Sequence, residues 1–265
     1  MTKSQLIGVV CGVFALLACG CTVESTVGVL RVCLGDSDLP RAQRKPLAGF
    51  DVDVARLLAE GLNREFEPVW LTRANPTEIE SSDIDYRALL QGQCDLQLSI
   101  PGATAIKGLA ERLALTQPYY GAAFELVPAT ASIDLANGRG GRIAVRANTV
   151  AHSFIDQLGF DWTMQRDNLD IVAAIAEGEA DAGLIWGPDL AALNISRNAD
   201  FGTPVALRWN HHVVTRSADV ALIEAIDVVL LQSATRRTIE ASMRRHGIPP
   251  HQPFASVHQG VELNQ

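Results

Sequence analysis

Hydrophobic positions along this chain form short β-like runs separated by stretches of helical period, and a β-α-β-α-β rhythm occurs twice. LRVCL at 30–34 predicts a first strand, and GDSDLP the loop beyond its carboxyl end. Phe50, Val54, Leu57, Leu58 and Leu62 then recur at helical spacing, with Asp51 expected as N-cap and Asn63 as the stop. A second strand is predicted over 67–71 and a short helix over 84–92. In the third strand, 94–100, Cys94, Leu96, Leu98 and Ile100 are expected on one face and Asp95, Gln97 and Ser99 on the other. Pro101-Gly102 turns the chain away, 103–117 carries no regular period, and 121–127 reads as a strand leaving this unit.

ASIDLANGRGG, rich in turn formers, marks a boundary before the second unit. That unit comprises a strand at 142–146, a helix near 150–158, DWTMQR, a helix near 169–177 and a strand at 182–185. The last strand is small or aliphatic enough to be covered on both faces, and Gly187-Pro188 ends it. Trp186 is thereby delivered to the strand's carboxyl end, where open α/β sheets gather ligands; it is either a cleft wall or a core residue under a loop. Two short β-like runs are expected on either side of Asn210, followed by amphipathic helices over 222–230 and 235–246. Terminal helices need a surface to cover, so the chain is expected to return to its first unit. The expected fold class is α/β, with lobe 1 at 28–128 plus 217–265 and lobe 2 at 129–216. Crossings near 127–131 and 211–216 would form a two-segment hinge.

The first residues add an address. Lys3 precedes an apolar run from Leu6 to Ala18, too short to span a bilayer, and Leu16-Leu17-Ala18-Cys19 resembles a bacterial lipobox. The expectation is a signal peptide at 1–18, lipidation at Cys19, a linker at 19–27 and a periplasmic protein; cleavage before Cys21 or by ordinary signal peptidase remains open. Of the cysteines, Cys33 and Cys94 lie beyond this region, and in an exported chain a disulfide between them is the default. A net charge of -8 with no run of Lys or Arg argues against a nucleic-acid partner.

Four segments in order resemble the family 3 extracellular solute-binding proteins: LAGFDVDVARLLAEGL, YRALLQGQCDLQLS, LTQPYYGAAFELV and IAEGEADAGLI. The resemblance covers nearly the whole mature chain. It implies a type 2 periplasmic binding protein, two α/β lobes that close around a small molecule. It also implies an arginine for a ligand carboxylate shortly before Pro-Tyr and an aspartate for an ammonium at the end of the second-lobe strand. In this chain the first place falls around Ile106 to Leu109, where Lys107 is the nearby cation and Arg112 lies too close to Pro-Tyr; Trp186 occupies the second. A buried ammonium without a counter-charge costs several kcal/mol, so a zwitterionic amino acid is not the expected ligand.

Ile185-Trp186-Gly187-Pro188, Arg31-Val32-Cys33, Gly92 to Asp95 and Ile100-Pro101 resemble one branch, the quinoprotein dehydrogenase-associated MxaJ/XoxJ proteins. The loop GDSDLPRAQ and the run Asp189-Leu190-Ala191 depart from that branch's wording. The implied partner is a periplasmic PQQ-dependent methanol or alcohol dehydrogenase. The alternatives are the substrate-binding component of an ABC transporter for an uncharged or aromatic molecule, and a small dehydratase or lyase on the same scaffold.

The expected ligand cleft comprises Asp38, Leu39, Phe50, Asp51, Pro101, Tyr119, Asn148, Thr149 and Trp186, mostly apolar or aromatic. Asn148-Thr149 opens a helix and is either an anion site or an ordinary cap. Asp36, Asp38 and Asp51 could form an acid-base group, but a cap and solvated loop charges explain them more simply. His211 and His212, adjacent in a strand, point to opposite faces and make a poor metal pair. Arg236-Arg237 and Arg244-Arg245 read as the solvated face of the last helices, or as a docking surface. No nucleophile elbow, zinc-protease motif or phosphate loop is present, and the reading is a non-enzymatic binding protein without cofactor or metal.

Overall fold

The first unit forms because Val-, Leu- and Ile-rich strands can each be covered by the apolar stripe of a helix. In the computed structural model, which describes residues 28–35, 39–71, 84–128, 132–135, 140–193, 195–199 and 201–258, it begins with β1 (Gly28–Gly35), α1 (Phe50–Gly61) and β2 (Arg64–Leu71). It continues with α2 (Arg87–Leu90), β3 (Leu96–Ile100), β4 (Leu113–Leu115) and β5 (Tyr120–Val127). The second unit is β6 (Ile143–Arg146), α3 (Val150–Gln157), β7 (Trp162–Gln165), α4 (Asn168–Ala176), β8 (Ala182–Trp186) and α5 (Leu190–Leu193). The chain returns through β9 (Arg208–Arg216) to α6 (Val220–Leu231) and α7 (Ser233–Arg245). The expected signal peptide, Cys19, Cys21, Asp36 and Asp38 lie outside the described residues.

Strand order is β2-β1-β3-β9-β5-β8-β6-β7, with β4 also on β9. β1 is parallel to β2 and β3, and β6 is parallel to β7 and β8, while β9 and β5 run antiparallel to their neighbours. The two antiparallel strands are the crossings. β5 pairs with β9 through Tyr120 to Ala123 and with β8 from Phe124 to Val127. β9 pairs with β5 from Arg208 to His211, then with β3 and β4 from His212 onward. The hand-over thus falls inside continuous strands, on β5 between Ala123 and Phe124, ahead of the crossing expected near 127–131.

α6 and α7 do return to the first unit. Ile226, Val229, Leu230, Ile239 and Met243 join Leu30, Val32, Phe50, Leu58 and Leu96 in one core. Asp53 on α1 reinforces this docking, accepting hydrogen bonds from Ser242 and Arg245 at 2.6 Å and pairing with His246 at 2.7 Å. Burial alone would raise the Asp53 pKa, but those partners hold it below the usual carboxylate range. The second unit has its own cores, with Ile143, Val145, Ile155 and Leu184 on one side and Ala144, Ile171, Ala174 and Ile185 on the other.

Cys33 and Cys94 are joined with Cα atoms 5.6 Å apart, as parallel neighbouring strands allow. Three local expectations are corrected. The N-cap of α1 is Gly49 at φ 123, not Asp51: the first amides bond to the carbonyls of Pro40 and Arg41, so no capping side chain is needed. A Cβ on Gly49 would sit 2.3 Å from the Arg41 oxygen, hence glycine. The single face predicted for Cys94, Leu96, Leu98 and Ile100 splits, because β3 begins only at Leu96 and Ser99 adopts φ 60 at a bulge. Leu96 and Leu98 join the α1 core, whereas Cys94 and Ile100 join a cluster with Cys33 and Leu113. Finally, the two short runs about Asn210 are one nine-residue strand preceded by a 3-10 turn at Val205–Leu207.

Candidate functional site

Where the strand ends meet the crossings, α1 and β3 bring a polar network together. Asp51 is buried at the second position of α1 and accepts a 2.7 Å bond from the Ser99 hydroxyl, with Arg41 at 3.4 Å. The Tyr119 hydroxyl accepts from the Ser99 amide at 3.0 Å and lies 3.2 Å from the Ser99 hydroxyl, which Tyr120 also approaches at 3.3 Å. The left-handed backbone at Ser99 turns its polar groups toward these partners. Burial, then the Asp51 charge, pushes both tyrosine pKa values above their usual range, so both remain protonated.

An aromatic layer adjoins the network. His211 on β9 stacks on Tyr120 with centroids 4.6 Å apart and lies 6.0 Å from Trp186. Trp186 also packs at 5.4 Å from both Phe124 and Trp209, and its half-buried ring reaches the core of the first unit. It is therefore partly a core residue and partly exposed at the crossing. Burial, then the neighbouring Arg41 cation, pushes the His211 pKa down to about 3, the Ser99 backbone offsetting only part of this. The imidazole is neutral at physiological pH. His212 points the other way, its Nδ1 2.7 Å from the Thr116 carbonyl. Among the described residues no group of three or more His, Cys, Asp or Glu side chains could hold a metal ion.

On the other face of the same strand pair, opposite Ile185, Glu125 is fully buried, with Arg197 at 3.1 Å and His251 at 2.5 Å from its oxygens. Gly187 exists to accommodate this strand: a Cβ there would lie 3.0 Å from the Ala123 oxygen and 3.3 Å from Glu125 Cγ. The Trp-Gly-Pro exit thus places a ring on one side and makes room for a carboxylate on the other.

The expected cleft residues separate into three groups. Phe50, Asp51 and Tyr119 are buried, and Phe50 packs with its ring centroid 6.4 Å from that of Tyr119 and 5.1 Å from that of Tyr120, so they do not line an open wall. The reason is that Phe50 and Asp51 lie in the first turn of α1, with Phe50 in the core and Asp51 bonded to Ser99 of β3. Leu39 is 54% exposed, Pro101 half-buried and Asn148 exposed at φ 56. Thr149 caps α3, accepting from the His152 amide at 3.2 Å and donating to the Arg146 carbonyl at 2.8 Å. Lys107 is exposed beyond a short 3-10 turn. Ser99, Tyr120, Phe124, Trp209 and His211 were not anticipated as site residues. Ser99 falls on the polar face of an alternating strand pattern with Asp95 and Gln97, so the local pattern points away from its buried role.

No family model matches the sequence, and no curated protein matches it. Solved structures do share the fold. The L-cystine solute receptor of Neisseria gonorrhoeae, in its unliganded open conformation, superposes with a TM-score of 0.72 at 16% identity, over 86% of this chain and 96% of that one. MxaJ from Methlophaga aminisulfidivorans aligns with a TM-score of 0.60 at 21% identity over 83% and 99% of the two chains. A reconstructed ancestral cationic amino acid solute-binding protein gives 0.62 at 19% identity over 83% and 96%. With the strand order and the paired crossings, these likenesses show that the chain has the type 2 periplasmic binding protein fold, two α/β lobes joined by a two-segment hinge.

Proposed function

We propose that this chain is an exported, non-enzymatic binding protein that serves as an accessory of a periplasmic PQQ-dependent alcohol dehydrogenase. The observation that carries the reading is the setting of Trp186. At the end of β8 it presents an indole packed on Phe124, Trp209 and His211, where an amino-acid receptor of this fold would need a carboxylate. Glu125, the buried carboxylate of the adjoining strand, is already bonded to Arg197 and His251. A ligand ammonium would be left unpaired at a cost of several kcal/mol. The Ile185 to Pro188 wording, together with the likeness in fold to MxaJ, favours the dehydrogenase-associated branch. Affinity capture from periplasm should recover dehydrogenase subunits. Recovery of transporter membrane subunits without dehydrogenase would overturn the assignment.

The same aromatic layer supports a second reading, a transporter-linked receptor for an uncharged or aromatic compound. A thermal-shift screen separates the two. A true ligand at a hundred times its dissociation constant stabilises by about 2.7 kcal/mol, and a screen of aromatic and uncharged compounds without such a shift counts against a receptor. A lyase is disfavoured by the commitment of Asp51 to Ser99 and Arg41. Turnover abolished in an Asp51→Asn protein of unchanged stability would reinstate it.

A further inference from the structure

After α7 the chain does not simply end on the first lobe. Ile248 is buried in that lobe's core, and the following residues cross both hinge strands. The Gly121 amide donates to the His251 carbonyl at 3.0 Å, on the part of β5 that pairs with β9. The His251 ring bonds Glu125 at 2.5 Å, on the part of β5 that pairs with β8. One residue therefore holds β5 on both sides of its hand-over. Farther on, Asn210 of β9 donates to the Phe254 carbonyl at 2.9 Å and accepts from its amide at 2.8 Å. The Arg208 guanidinium lies 5.3 Å from the Phe254 ring centroid, and the His258 amide donates to the Arg208 carbonyl at 2.8 Å.

Close packing accompanies these bonds. A Cβ on Gly121 would lie 2.7 Å from both the Gln252 oxygen and the Phe254 ring, so glycine lets the segment lie directly on the strand. Gly247, at the end of α7, similarly passes Ala191 of α5 in the second lobe, whose Cβ would be 2.9 Å from an added one.

We propose that residues 248–258 are a strap across the hinge that restrains rotation of one lobe against the other. Rotation about the crossings changes the twist of β5 and β9 where pairing passes from one lobe to the other. The bonds to Glu125 and Asn210 must then shift or break. A ligand or partner that changes the angle between the lobes works against this strap, which makes it a determinant of the balance between lobe arrangements.

Gly121→Ala should lift the strap, since its nearest new contacts are strap atoms, and an Asn210→Ala, Phe254→Ala double variant should detach it by a different route. Both are compared with the unaltered protein by hydrogen-exchange mass spectrometry and small-angle scattering. In peptides covering β5 and β9, exchange should rise about tenfold, the effect of losing about one hydrogen bond, while α1 stays protected. The scattering-derived distance distribution should broaden. Folded variants with unchanged exchange in β5 and β9 and unchanged scattering would overturn the proposal. So would loss of folding in both, which would make the segment an ordinary core element.

Discussion

At the scale of single residues, burial decides the chemistry more than residue type does. His211 is neutral because its site is closed and Arg41 is near, with a pKa of about 3 in the fold against about 6.5 when unfolded. Between those values the unfolded chain binds a proton that the folded chain does not. The stability present above about pH 6.5 is lost as pH falls through the window, by at most about 1.4 kcal/mol per unit. Urea melts at pH 7 and pH 5 should show this loss, and His211→Phe should remove its share. Asp53 and Asp95, held below the usual carboxylate range, act at lower pH, whereas burial also pushes the His212 pKa down, so the share of His211 is the difference between the unaltered protein and His211→Phe. Trp186→Ala removes three aromatic contacts and should cost about 2–3 kcal/mol in the same melts. The position of Trp186 was legible because Gly187-Pro188 ends the strand after it. Its partners Phe124 and Trp209 were not legible, because only strand pairing brings such distant segments together.

At the scale of elements, the apolar periods located the helices and strands, and the misreadings fall where a tertiary partner overrides a local cue. Asn210 resembled a break between two strands, yet it sits within β9 because its side chain bonds both backbone groups of Phe254. Ser99 resembled a solvent-facing polar residue, yet it is buried because Asp51 and Tyr119 satisfy it. Asp51 had the sequence position of a cap, yet the Pro40 and Arg41 carbonyls took the helix amides. The exit of β8 is a test of element-level fit. Gly187→Ala introduces a Cβ 3.0 Å from the Ala123 oxygen and should destabilise by about 1–2 kcal/mol, with changed tryptophan fluorescence as Trp186 and Trp209 shift.

At the scale of the whole molecule, β5 and β9 join the parallel strands of the two units into one continuous sheet. The Cys33–Cys94 bond lies within the first lobe and closes a loop of sequence separation 61. Its reduction should lower stability by about 4 kcal/mol on loop entropy, measured by unfolding with and without reductant. The loss should be accompanied by early exchange in β1 and β3, with β6 to β8 less affected. By itself the amino-acid sequence determined the α/β class, the repeated unit, the disulfide partners and the delivery of Trp186 to a strand end. Each follows from local period, turn chemistry or residue chemistry. Packing across the fold settled that Phe50, Asp51 and Tyr119 are buried, that His211 is closed off beside Trp186, and that the last described residues lie across β5 and β9. Those outcomes depend on which distant segments share a face, and pairwise packing across the fold settles that where no local pattern can.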